Sequence, residues 1–225
     1  MADPRLVTTS GRSAALGAIE INRVLRNTYL LLGMTLGFSA VVAMVAMSAN
    51  APYLGFFPTL IGFFALLFLV HKLADSVWGL PAVFVFTGFL GYTLGPLLNV
   101  YLALPNGGAL VGQALALTAG AFVGLSLYAL ITRKDFSFLG GFLMAGVFVL
   151  IGAMILNYFT AIAGLHLVIS CGVVLFASAL ILFETSAVVH GGETNYIRAT
   201  VGLYVSIYNL FVSLLHLLGI FGGDD

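Results

Sequence analysis

A chain of 225 residues with 61% hydrophobic side chains, 7% charged ones and a mean hydropathy of +1.15 lies outside the range of soluble globular domains and reads as an integral membrane protein. Eight basic and eight acidic residues cancel to a formal net charge of zero, which excludes the concentrated basic surface that nucleic acid requires. The single cysteine, Cys171, excludes an intrachain disulfide or a cysteine-cluster metal site, and within its apolar run it is expected to pack as a small buried hydrophobe.

Residues 1–27 are polar and basic, with Arg5, Arg12, Arg23 and Arg26 set against Asp3 and Glu20. They read as a mobile N-terminal tail. The apolar run that follows ends at Ala49-Asn50-Ala51, a signal-peptidase-like site, but it is too long for a signal core and heads a series of similar runs. A retained first span is the better reading. Stretches of about twenty apolar residues, the length that crosses a bilayer, occur at 28–48, 53–71, 80–102, 109–131, 138–157, 161–183 and 201–221. None shows the period-two alternation of a membrane barrel, so the expected fold is all-α, with a seven-helix domain over 28–221 between the tail and a short acidic terminus, 222–225.

The basic residues Arg5, Arg12, Arg23, Arg26, Lys72, Arg133, Lys134 and Arg198 all fall on one side of this arrangement, and the alternate loops carry none. The positive-inside rule then places the N-terminus in the cytoplasm and Asp224 and Asp225 in the periplasm.

Short outer loops suggest three tight hairpins, spans one with two, three with four and five with six, around an unpaired seventh. At 100° per residue Gly202, Ser206, Asn209, Ser213 and His216 share a narrow arc of span seven, opposite Tyr204, Tyr208, Phe211 and Leu215. A continuous polar face is costly against lipid, so span seven is expected at the centre. Gly91 to Gly95 and Gly141 to Ala145 have the small-residue spacing of close helix contacts. Pro96, beside Asn99, should kink span three.

No nucleophile elbow, metalloprotease helix, phosphate loop or dinucleotide fingerprint occurs, and no Asp lies well inside a span. The chain is read as a non-enzyme without cofactor or metal. His190 and Glu193 have a ligand-like spacing but lack a third ligand. Without an inverted repeat or a buried charged site, solute transport is disfavoured. Glu184 falls at the negative end of its helix as it leaves an apolar run, and Arg198 at the positive end of the next, where Thr194 or Asn195 is the expected cap. Both placements disfavour an isolated charge, and a Glu184–Arg198 ion pair across the turn would relieve both.

The strings Thr132-Arg133-Lys134-Asp135-Phe136-Ser137-Phe138-Leu139-Gly140-Gly141, Phe183-Glu184-Thr185-Ser186 and Leu203-Tyr204-Val205-Ser206-Ile207-Tyr208-Asn209-Leu210-Phe211 resemble the bacterial Bax inhibitor family. The likeness extends through Arg26-Asn27-Thr28-Tyr29, Phe86 to Tyr92 and His190 to Arg198, and so from about Arg23 to the C-terminus. It implies a seven-helix inner-membrane protein with a central last helix. It also implies membership of a branch associated, as bound modulator and substrate, with the membrane-anchored ATP-dependent protease FtsH and its prohibitin-like partners. Other members are described as pH-sensitive calcium leaks that use two acidic residues. Glu184 occupies the first of these positions, and Ser206 stands where those members have Asp.

Overall fold

The computed structural model describes the backbone of residues 4–162 and 164–222 and, within these, the side chains from Ile19 onward. Seven helices follow in order: α1 (Pro4–Ser48), α2 (Phe56–Leu73), α3 (Gly79–Leu102), α4 (Gly107–Thr132), α5 (Leu139–Thr160), α6 (Leu165–Val189) and α7 (Tyr196–Gly222). Each is long and apolar enough to cross a bilayer, where a helix satisfies its own backbone donors and acceptors. The polar residues from Pro4 to Asn27 belong to the same continuous helix as the first span, where a separate tail was expected. The side chains of Arg5 and Arg12, and the residues Asp3, Asp224 and Asp225, lie outside the described residues. Arg23, Arg26, Lys72, Arg133, Lys134 and Arg198 share one end of the bundle, here called the basic face.

The seventh helix is the hub. In a bilayer a buried helix is marked by contact with other helices, and α7 has 44% of its apolar window buried, the largest share of the seven. It packs on α1, α2, α3, α4 and α6, but not on α5.

The expected hairpin of spans one and two does not form. α1 and α2 do not pack on one another, and α1 lies instead along α3. Side-chain size explains the choice: a Cβ added at Gly95 would stand 2.5 Å from the Ala46 Cβ, and one at Gly91 would collide with the Ser39 carbonyl, so two glycines bring α3 against the backbone of α1. Asn99 adds a hydrogen bond from Nδ2 to the Met47 carbonyl at 3.2 Å. Spans three and four, and five and six, do pack as neighbours. Pro96 lies inside α3, which runs on to Leu102.

α2 and α5 are peripheral, each with 6% of its window buried. Aromatic rings join them at the face opposite the basic one: Phe56 stacks on Tyr158 with centroids 5.2 Å apart, and Phe57 meets the same ring edge-on. Two expectations are corrected on the outer surface. Gly141 has open space where its Cβ would be, while α5 is held to α6 through Gly140 and Gly146, which face Phe183 and Phe176. Cys171 is exposed on α6, not buried.

Candidate functional site

The residues singled out in the sequence fall into three groups along α6 and α7. The first surrounds Glu184. Its carboxyl lies against Gly202 so closely that a Cβ there would stand 2.5 Å from Oε1 and 2.7 Å from Oε2. One turn further along α7 the fully buried Ser206 donates its hydroxyl to the Gly202 carbonyl at 3.0 Å. The Glu184 carboxyl thus fills a notch at Gly202 in the α6–α7 interface, one turn of α7 before Ser206. The notch exists because residue 202 has no side chain.

The second group ties the start of α7 to the α2–α3 loop. Asn195 caps the helix: its Oδ1 accepts from the backbone NH of Ile197 at 2.8 Å and of Arg198 at 3.3 Å, satisfying donors the first turn leaves free. Its Nδ2 donates to the Ala74 carbonyl at 3.0 Å and to Asp75 Oδ1 at 2.8 Å. Arg198 Nη2 is bonded to Asp75 Oδ2. The expected Glu184–Arg198 pair is therefore absent, and Asp75 takes the place assigned to Glu184. The reason is electrostatic as well as geometric, since the Asp75 carboxylate stands at the N-terminus of α7, where aligned peptide dipoles favour an anion.

The third group fastens the α4–α5 loop to the end of α6. Ser186 Oγ accepts from the backbone NH of Phe136 at 3.0 Å and lies 3.2 Å from the Lys134 carbonyl. The two ring nitrogens of His190 stand 2.9 Å from the Ser186 carbonyl and 3.0 Å from that of Arg133. Gly191, with φ of 73°, ends the helix as expected. Glu193 accepts from the Asn195 backbone NH at 2.8 Å, so His190 and Glu193 serve separate structural contacts. Within the loop the backbone NH of Ser137 donates to Asp135 Oδ1 at 2.8 Å and, with the Ser137 hydroxyl, holds that carboxyl below its ordinary range.

The polar stripe of α7 divides. Ser206 and Ser213 are buried, whereas Asn209 and His216 are half-buried. His216 lies beside His166 of α6, with ring centroids 4.9 Å apart, and beside Tyr101 of α3 at 6.0 Å. Sequence reasoning did not join these rings, because they come from three helices. It also missed Tyr204, which it placed only on the face opposite the stripe. This side chain is 1% exposed, and its hydroxyl lies 2.6 Å from Ser39 Oγ and 3.3 Å from the Thr87 carbonyl, joining α7 to α1 and α3.

The strings that resemble a known family thus supply the clamps and the notch of one bundle. The family described as inhibitor of apoptosis-promoting Bax1 matches residues 21–223. The chain belongs to the Bax inhibitor family. Among its relatives, the modulator of FtsH protease YccA of Escherichia coli K12 is 50% identical over 98% of this chain and 99% of its own length. An uncharacterized protein of Pseudomonas aeruginosa is 59% identical over 92% of this chain and 93% of its own length. An uncharacterized membrane protein of Vibrio cholerae is 46% identical over the same shares. This family member is accordingly a multi-pass inner-membrane protein.

Proposed function

We propose that the chain is a non-enzymatic modulator of an FtsH-type membrane protease, with the basic face in the cytoplasm and the C-terminus in the periplasm. The observation that carries this reading is the end-to-end likeness to the modulator of FtsH protease of E. coli, which leaves almost no part of either chain unmatched. The orientation rests on the gathering of basic residues on one face and follows the positive-inside rule. Regulation without catalysis asks for a bundle that resists extraction and for loops held in one shape, and the Asn195 and Ser186 clamps supply such loops. The N-terminal segment is the handle that a protease of this class would grip. Prohibitin-like proteins are proposed as further partners of the same assembly.

The deciding experiment adds the purified chain to an FtsH-type protease in proteoliposomes and follows both co-purification and the degradation of a model membrane substrate. Binding together with slowed degradation is expected. A protease that neither retains the chain nor changes its rate overturns the reading. Turnover of the chain itself should fall when residues 2–20 are removed, and unchanged turnover removes that segment as the handle.

A second reading, a pH-sensitive calcium or cation leak, is favoured by one observation: a carboxyl inserted at Gly202, one turn of α7 before Ser206. The opposing consideration is that only one of the two acidic positions used by leak-forming relatives carries an acid here.

A further inference from the structure

The four histidines divide by what their ring nitrogens do. His190 spends both on backbone carbonyls, and His71 Nδ1 lies 2.9 Å from the Leu67 carbonyl. His166 and His216 make no hydrogen bond among the described residues and lie side by side instead, with ring centroids 4.9 Å apart and planes inclined at 58°. His166 is exposed in the first turn of α6. His216 is half-buried, six residues before the end of α7 and so about 9 Å below it. Both belong to the end of the bundle opposite the basic face.

The elements that present this pair are held in place. Helices α6 and α7 pack along one another. Tyr101 of α3 packs against His216, and its ring is seated on Gly219, where a Cβ would stand 2.5 Å from Cε1. Asn106 Nδ2 donates to the Gly222 carbonyl and ties the end of α7 to the start of α4. Two side chains on fixed helices are the condition for a preorganised site.

The inclination of the rings excludes parallel stacking, and protonation of both would set two cations side by side. Each neutral imidazole carries one lone pair, the form in which it binds metal. The separation suits that use. An ion about 2.0–2.1 Å from a ring nitrogen lies about 3.2 Å from the ring centroid, so two imidazoles on one ion have centroids about 4.5 Å apart at a right angle and about 5.2 Å apart at the tetrahedral angle. The observed 4.9 Å falls between these values.

No third His, Cys, Asp or Glu joins the pair among the described residues, so the remaining positions on an ion fall to water at the exposed His166. Two nitrogens and water are a poor set for Ca²⁺ or Mg²⁺, which take carboxylate and carbonyl oxygens, and a good one for Cu²⁺, Ni²⁺ and Zn²⁺. We propose that His166 and His216 form a binding site for one divalent transition-metal ion, which clamps α6 to α7 at the end opposite the basic face. The site is independent of the protease reading, because it lies at the other end of the bundle from the Asn195 and Ser186 contacts. Cu²⁺ should bind most tightly, following the general order for such ligands.

The test uses the full chain, purified without an affinity histidine tag, stripped with chelator and titrated with Cu²⁺ or Zn²⁺. Pulsed electron paramagnetic resonance counts the imidazoles on bound Cu²⁺ and is expected to find two. His166→Ala and His216→Gln should each leave one and weaken Cu²⁺ binding at least about 100-fold, the gain that a second tethered ligand supplies. His71→Gln, at the basic end of α2, should change neither reading. Zn²⁺ should raise the unfolding midpoint of the native chain by several degrees, because the site exists only in the folded bundle, and should raise that of neither His166→Ala nor His216→Gln. One imidazole or none on the native chain, or two that survive His166→Ala, overturn the site. An equal Zn²⁺ shift in the native chain and in His166→Ala overturns the clamp. His166 is exposed, so its replacement leaves the packing of the bundle intact, and that variant is decisive even where His216→Gln fails to fold.

Discussion

Arg198, in the first turn of α7, is paired with Asp75 of the α2–α3 loop, while Glu184 lies one turn deeper against Gly202 and makes no salt bridge among the described residues. The side chains of the pair are 36% and 70% exposed, so solvent screens them, and an ion pair of this kind contributes at most about 1 kcal/mol. Asn195 is the stronger fastening, because it caps α7 and holds Ala74 and Asp75 together. Asn195→Ala should therefore lower stability by about 1–2 kcal/mol, more than either Asp75→Asn or Arg198→Gln. A double-mutant cycle should find coupling between positions 75 and 198, and none between 184 and 198. Thermal unfolding in detergent reads both cycles, and coupling confined to 184 and 198 would refute the assignment.

The Glu184–Gly202 notch makes a second prediction with its own internal control. A Cβ at residue 202 has no room unless the carboxyl moves, so Gly202→Ala should destabilise the bundle by about 1–3 kcal/mol, the usual range for overpacking. In a Glu184→Ala background the obstruction is gone and the same substitution should cost little. Equal costs in the two backgrounds would mean that the carboxyl is not what fills the notch.

The parts of this fold that were readable in advance are those encoded locally. Seven apolar runs, the Asn195 cap and the Gly191 terminator each depend on residues within a turn or two, and the polar stripe was enough to place α7 at the centre. Pairing was harder to read. Gly91 and Gly95 announced a close contact but not its partner, and the short α1–α2 loop pointed to α2 as the neighbour of α1, where α3 took the place. Asp75 is 123 residues from Arg198 and has no periodic relation to it. Cys171 was misplaced because a uniformly apolar helix carries no pattern that separates its lipid face from its packed face. The Glu184 site was half legible: a carboxyl leaving an apolar run is conspicuous, but its neighbour is a glycine, which has no side chain to signal the contact.

The α4–α5 loop carries the pH dependence that can be assigned outside the spans. Ser137 holds the Asp135 carboxyl below its ordinary range, so the group favours the folded loop above the ordinary aspartate range. That contribution is lost as pH falls through the depressed value. Hydrogen exchange should show the Ser137 amide protected near neutral pH and opening in acid, and Asp135→Asn should weaken that protection and flatten its acid dependence. Protection that does not change with pH would dissociate Asp135 from the loop's order.

The choice between a protease modulator and a cation leak turns on residue 206. Two carboxylates at close range share a proton rather than both ionising, which is how an acidic pair couples a gate to pH. Ser206 is buried one turn from the notch that holds Glu184 and cannot take that part. Calcium flux into liposomes between about pH 6 and pH 8, the range in which a coupled acidic pair can respond, should be at background for the native chain. Ser206→Asp should open a pH-dependent leak, and Glu184→Gln should close it again in the Ser206→Asp background, because the proton is shared only while both acids are present. If the native chain already leaks and Glu184→Gln removes the pH dependence, one carboxyl suffices and the cation-leak reading displaces the protease reading.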